Sequence, residues 1–203
     1  FINGKLFIEV DREFYDEKDF QGVVKNNILQ RTNLDLNGEN ELLCLFMDYR
    51  VSSPQGNTQP DLIIFDKQCT HYWIVEVELS THSWESHVEE QLEKLTEANY
   101  SGKSHKILKN IKNTNEAFNF DEERFIKLIQ YSEPNFMLVL DKTPSWKQKA
   151  IESSLNFKYI EFKTFKSSAN ESLYYTDGLT LSLENESLLR PVSYYYQLAG
   201  EGT

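Results

Sequence analysis

The segment 60–78 places strong limits on the fold, because it joins two apolar runs to several carboxylates. Residues 62–65 and 72–75 are apolar, and Glu76 and Glu78 follow the second run with a single valine between them. Runs of this composition, separated by a turn-like segment, predict a hairpin of two antiparallel strands. Residues two apart on a strand point to the same face, so the two glutamates are expected side by side. Carboxylates on an apolar hairpin repel one another and lose hydration, which favours a bound cation.

The segments around this hairpin alternate between helical and strand-like patterns. Acidic residues from Asp16 onward begin a helix whose apolar face has the 3.6-residue period. In the first part of the chain, the predicted order is an edge strand at 3–10, this first helix, a strand at 42–51, a loop at 52–59 and hairpin strands at 61–65 and 72–79. Three helices follow, at 84–98, 106–112 and 122–131. The last part has a strand at 136–140, a helix at 146–155, a strand at 159–166, and tail strands near 173–175, 179–183 and 194–196. Such alternation predicts one α/β domain over 1–203, with a mixed central sheet flanked by helices.

Charge and hydropathy limit the partners of the chain. The net charge is -11, which argues against a basic surface over the whole protein that would bind nucleic acid. Four lysines do recur with a helical rhythm, as a candidate phosphate-binding patch or as an ordinary solvated face: Lys103, Lys106, Lys109 and Lys112. The tyrosines at 194–196 are candidates for base stacking or, alternatively, for core burial. No apolar run approaches the roughly 18 residues of a membrane span, so we expect a cytoplasmic protein without membrane partners.

Cysteine and histidine spacing does not predict a metal site. The two cysteines form no CxxC motif and are expected as reduced thiols. His71, His82 and His105 lack partners at ligand spacing, so the sequence assigns them no metal role. His87 is expected on the surface or in packing.

The motif and its surroundings resemble the PD-(D/E)xK nuclease superfamily, which has the restriction-endonuclease-like fold. The resemblance is carried by Pro60-Asp61, the hairpin, Glu76-Val77-Glu78 and the amphipathic helix that follows. It implies an αβββαβ core over roughly residues 16–140. The remaining residues, 141–203, would then form a C-terminal extension with extra strands.

The resemblance also implies an activity and a cofactor. It implies a metal-dependent nuclease that hydrolyses phosphodiester bonds, in DNA rather than RNA, in restriction, repair or anti-phage defence. Such proteins act as homodimers or within larger assemblies. Mg²⁺, or Mn²⁺, would activate water and offset the charge of the phosphate. By resemblance, the ion would be held by Asp61, Glu76 and the backbone carbonyl of Val77, with Glu17 contributing through water.

The third motif position differs from the usual superfamily pattern, because Glu78 stands where a lysine is common. In ExE members the second glutamate is a candidate base or a ligand of a second metal ion. In other members the lysine lies on the following helix, where His87, Gln91 and Lys94 are spaced at i, i+4 and i+7. The predicted catalytic set is therefore Glu78, Gln91 and Lys94.

Each predicted site residue has a structural alternative. Asp61 could form a turn, and Glu76 and Glu78 could face solvent on an edge strand. Glu17 could complement the helix dipole, and Lys94 could pair with a glutamate one turn away. For the whole protein, the alternative is a catalytically inactive nuclease-like fold that serves as a protein-interaction or scaffolding module. The glutamate at the lysine position and the negative net charge both favour that alternative.

Overall fold

The computed structural model describes residues 6–10, 16–35, 42–47, 49–114, 119–177 and 198–199. The strands are β1 (Phe7–Glu9), β2 (Leu42–Phe46), β3 (Val51–Ser53), β4 (Gly56–Thr58), β5 (Leu62–Asp66), β6 (Tyr72–Glu78), β7 (Asn135–Leu140), β8 (Lys158–Ser167), β9 (Ser172–Asp177) and β10 (Leu198–Ala199). The helices are α1 (Glu17–Asp35), α2 (Glu89–Thr96), α3 (Ser104–Thr114), α4 (Glu122–Tyr131) and α5 (Lys147–Glu152), with a π-helical turn at Trp84–Val88 and a 3₁₀ turn at Ser101–Lys103. No helix in these ranges is long and apolar enough to cross a membrane.

The central sheet is mixed and has the strand order β10-β9-β8-β7-β6-β5-β2, with β1 also paired to β8. The β2, β5 and β6 strands are antiparallel, whereas β6, β7 and β8 run parallel. β6 therefore lies inside the sheet, between β5 and β7. Its Glu76 and Glu78 are only 2% and 1% exposed. The alternative in which these glutamates face solvent on an edge strand is wrong, because parallel pairing with β7 and the covering helices bury both faces of β6.

Helices cover both faces of this sheet. The face that carries Leu62, Ile64 and Val75 packs against α1. The opposite face carries Ile63 and Phe65 and packs against α3 and α4. On that same face, the π-helical turn and α2 cover β7 through a third cluster of buried residues: Trp84, Val88, Leu92, Leu138, Leu140, Trp146 and Ala150. Burial of each large apolar side chain contributes ~1.5–3 kcal/mol, which holds the end of β6 between α1 and the π-helical turn.

Several predicted elements are confirmed, and some boundaries are wrong. The helix at 122–131 is present as α4, and the helix at 84–98 is present as the π-helical turn followed by α2. The strand predicted at 42–51 stops at Phe46, and the predicted loop at 52–59 contains the β3–β4 hairpin. The residue after its turn is Gly56, whose φ of 127° is a backbone angle that glycine adopts readily. The turn therefore joins two paired strands, not two ends of a loop. The predicted strands at 179–183 and 194–196 lie outside the described residues.

Candidate metal centre

The acidic residues converge where β5 begins, β6 ends and α1 begins. Antiparallel pairing of β5 with β6, continued by one residue, sets Asp61 opposite Glu76. The Val77 amide donates a hydrogen bond to Asp61 Oδ2 at 2.8 Å. From α1, Gln21 Nε2 donates to Asp61 Oδ1 at 2.7 Å and to Glu17 Oε1 at 3.0 Å. The fold thus brings Glu17, Asp61 and Glu76 to one end of the sheet.

Asp61 is held in a setting that disfavours its negative charge. Burial raises the pKa of Asp61 to about 8, the Val77 amide opposes this shift, and the charges of Glu17 and Glu78 add to it. In an antiparallel pair, the N–H and C=O of one residue point to the same neighbouring strand. The Val77 carbonyl therefore faces the side on which Asp61 lies.

Glu76 has one oxygen with a partner and one without. Gln91 Nε2 on α2 donates a hydrogen bond to Glu76 Oε1. Among the described residues, Glu76 Oε2 is buried and has no hydrogen-bond partner. Burial raises the pKa of Glu76 well above its ordinary value, the charges of Asp61, Glu78 and Glu17 raise it further, and the backbone amide of Asp61 opposes the shift. An unpaired buried carboxylate oxygen costs ~1–3 kcal/mol, so this oxygen points to a proton or a cation at the site.

Glu78 is enclosed by two imidazole rings. His82 Nδ1 contacts Glu78 Oε2, and His87 Nε2 lies 3.2 Å from Glu78 Oε1. Burial raises the pKa of Glu78 to about 7; the charge of Glu17 adds to the shift, and His87 opposes it. The predicted catalytic glutamate is therefore a buried carboxylate whose described neighbours include no lysine or arginine in ion-pair contact.

Four of these side chains form a compact donor set, which we call the Glu-His cluster: Glu17, Glu78, His82 and His87. One ligand atom from each residue lies within 4.8 Å of every other. His82 Nδ1 is 3.5 Å from Glu17 Oε2, and the two imidazole rings are 4.9 Å apart between centroids. Two carboxylates and two imidazoles at such distances can hold a divalent metal ion.

The position of His82 corrects the expectation that it has no partner at ligand distance. The chain turns sharply after β6, where the His82 amide donates to the Leu79 carbonyl at 2.9 Å. The Trp146 indole donates to the His82 carbonyl at 2.7 Å and anchors this turn. The turn returns the imidazole to Glu78, four residues earlier in the chain. The sequence signal that could have found it is a histidine four residues after the last glutamate of the acidic strand, followed by His87 at the start of the next helix.

A pocket of about 380 Å³ adjoins this centre. The described residues that line it are Arg50, Asn57, Thr58, Gln59, Ser86, His87, Glu90, Gln91 and Lys94. Since Gln91 contacts Glu76 and His87 contacts Glu78, the pocket opens beside the acidic centre. The ammonium group of Lys94 pairs with Glu90, as its structural alternative predicts. Lys94 nevertheless joins Arg50 as a basic side chain of the described lining.

The lysines predicted to bind nucleic acid lie on other elements. Lys103 belongs to the 3₁₀ turn, and Lys106, Lys109 and Lys112 belong to α3. Lys112 pairs with Glu122 of α4 at 2.8 Å. None of the four is in the described lining of the pocket. Their role as a phosphate-binding patch stays a prediction, and the basic groups beside the acidic centre are Arg50 and Lys94.

Comparison with known proteins adds no relative. No protein-family model, curated protein or solved structure matches this chain.

Proposed function

We propose that the protein is a metal-dependent nuclease of the PD-(D/E)xK type, which hydrolyses phosphodiester bonds in DNA rather than RNA. The observation that carries the proposal is the convergence of Asp61, Glu76 and Glu78 at one end of a mixed sheet. The order α1, β2, β5, β6, α2, β7 supports a restriction-endonuclease-like core, with the β3–β4 hairpin and the helices α3 and α4 as insertions. The adjoining pocket, with Arg50 and Lys94 in its lining, supports an anionic substrate.

The residues present fit a divalent ion of the Mg²⁺ or Mn²⁺ kind. Asp61, Glu76 and the Val77 carbonyl offer oxygen donors, and Glu76 Oε2 lacks a hydrogen-bond partner among the described residues. When bound there, the ion supplies activation of a water molecule and neutralisation of the phosphate charge. Gln91 fixes the orientation of Glu76 through its amide hydrogen bond.

Glu78 is suited to accept a proton from the attacking water. General bases work best when their pKa lies near the working pH, and burial raises the pKa of Glu78 to about 7. Arg50 and Lys94 in the pocket would bind the phosphates that flank the bond to be cleaved. In this proposal, Glu78 and these basic groups replace the usual lysine of the motif.

The experiment is a cleavage assay on purified full-length chain with plasmid, linear duplex, single-stranded DNA and RNA, with Mg²⁺ or Mn²⁺ and with EDTA. We expect metal-dependent cleavage of DNA, and a loss on the order of 10²–10⁴-fold in Glu78→Gln. Asp61→Asn should lose cleavage as well. The matched control is Glu123→Gln, because Glu123 is an exposed glutamate on α4 that pairs with Lys127. Absence of cleavage of every substrate, or full cleavage by Glu78→Gln, would contradict the proposal.

The alternative, an inactive nuclease-like interaction module, has one observation in its favour. Glu78 is contacted by two histidines and, among described residues, by no lysine that could orient water. The same assay separates the two functions. Wild-type protein that cleaves none of the substrates, with a biological effect that survives Asp61→Asn, would support the interaction module.

A further inference from the structure

We propose that the Glu-His cluster is a second metal position, selective for a first-row transition ion such as Zn²⁺ over Mg²⁺. It differs from the oxygen-only position at Asp61, Glu76 and Val77, with which it shares no residue. Glu78 is a ligand of this ion, so it acts as the base of the proposed nuclease only in protein whose cluster holds no ion. Binding of the ion by the cluster stands independently of that function.

The donor atoms lie somewhat farther apart than a bound metal requires. Ligands bonded at ~2.1 Å in the tetrahedral geometry of Zn²⁺ are about 3.4 Å apart. The donor atoms of the cluster all lie within 4.8 Å of one another, so the most widely separated pair must approach by roughly 1 Å or more. Glu78 is fixed, with 1% of its side chain exposed, whereas His82 and His87 are 31% and 48% exposed and have room to rotate. Rotation of the two rings would complete the site.

One imidazole nitrogen of the cluster faces two carboxylates. His82 Nδ1 carries at most one proton, yet it faces an oxygen of Glu78 and, at 3.5 Å, an oxygen of Glu17. Glu76, two residues before Glu78 on the same face of β6, adds a buried Oε2 with no partner in the described part of the chain. His82 Nδ1 can therefore donate to only one of Glu17 and Glu78 at a time. A cation between these two carboxylates would offset the charge of both.

The donor types select the class of ion. Imidazole nitrogen suits Zn²⁺ and its first-row neighbours, whereas Mg²⁺ takes oxygen ligands and keeps several waters. Two carboxylates and two neutral imidazoles also balance the charge of a divalent ion. Four such donors match the coordination number of Zn²⁺ in proteins. Mg²⁺ would be confined to the oxygen donors of Asp61, Glu76 and Val77.

The test is metal binding to chelator-treated full-length protein, measured by calorimetry with Zn²⁺ and separately with Mg²⁺. Co²⁺ absorption provides a second readout, since nitrogen ligands and coordination number determine its visible bands. We expect Zn²⁺ to bind at least ~100-fold more tightly than Mg²⁺. His82→Gln and His87→Gln should each weaken Zn²⁺ by at least ~10-fold and leave Mg²⁺ binding unchanged. His105→Gln, an exposed histidine on α3, is the matched control and should bind Zn²⁺ as the wild type does.

Two outcomes would overturn the inference. The first is equal affinity of the protein for Zn²⁺ and Mg²⁺. The second is unchanged Zn²⁺ affinity in both histidine variants, provided that their circular dichroism shows the wild-type fold. These outcomes are independent of the nuclease assay. Zn²⁺ binding that needs both histidines, in a protein that cleaves nothing, would refute the nuclease and support the metal position. DNA cleavage together with unchanged Zn²⁺ binding in the histidine variants would support the nuclease and refute the second metal position.

Discussion

Replacement of Glu78 by glutamine should change how the stability of the metal-free protein depends on pH. The ordinary pKa of glutamate is 4.5, and burial raises the pKa of Glu78 to about 7 in the folded protein. Between these values the folded protein keeps the proton that the unfolded chain has released. The proton therefore favours the folded state below pH 4.5, and this contribution is lost as the pH rises through 7.

The expected size follows from the same two pKa values. A tenfold change in proton affinity corresponds to ~1.36 kcal/mol, so a rise from 4.5 to about 7 corresponds to about 3 kcal/mol. Glutamine has a similar shape and does not titrate. The free energy of unfolding of Glu78→Gln should therefore fall by about 3 kcal/mol less than that of the wild type between pH 4.5 and pH 8. Part of the fall should remain, because Asp61 and Glu76 also have raised pKa values.

The assay is urea denaturation with EDTA at several values between pH 4.5 and pH 8, monitored by tryptophan fluorescence and circular dichroism. Glu123→Gln is the control, since this exposed glutamate on α4 lies outside the acidic centre, and it should follow the wild type. If the stability of Glu78→Gln falls as steeply with pH as that of the wild type, the pKa of Glu78 is not raised in the folded protein. Such a result would mean that Glu78 is ionised in the folded protein throughout this range.

Three further substitutions test the scaffold of the site by urea denaturation. Asp121→Ala removes the carboxylate that accepts a hydrogen bond from the Arg124 amide at 3.0 Å and caps α4. It should lower the free energy of unfolding by ~0.5–2 kcal/mol, and an unchanged urea midpoint would show that this cap does not stabilise the protein. Leu138→Ala leaves a cavity beneath the π-helical turn and should cost ~2–5 kcal/mol, with a loss below 1 kcal/mol arguing against close packing there. Trp146→Phe deletes the donor to the His82 carbonyl and should lower the free energy of unfolding by ~1–3 kcal/mol. Calorimetry should also show weaker Zn²⁺ binding. Unchanged Zn²⁺ affinity would mean that this hydrogen bond does not position His82.

Local patterns account for the parts of the fold that the sequence predicts well. The helix at 122–131 has an N-cap at Asp121 and apolar residues at the helical period, and α4 has these bounds. The placement of Glu76 and Glu78 on one face follows from strand geometry alone. The buried stripe of Trp84, Val88, Leu92 and Leu95 likewise follows from residue spacing.

The β3–β4 hairpin and the metal donors depend on contacts that spacing does not encode. Pro54 and Gly56 indicate a turn, but pairing of the flanking residues into strands depends on the burial of Val51 and Thr58. Arg50 lines the pocket because this hairpin packs next to α2. A chain segment that reads as a loop therefore contributes to the candidate site.

An acidic motif at the end of a buried hairpin can be predicted from the sequence, because side-chain alternation and helical periodicity are local properties of the chain. The residues that surround those acids are defined by tertiary packing. The turn anchored by Trp146 brings His82 to Glu78, and the start of α1 brings Glu17 to the same point. Such contacts depend on how separate elements pack, and packing sums many weak interactions between residues distant in sequence. Packing thus placed two histidines beside Glu17 and Glu78, although the sequence had assigned those histidines no metal role.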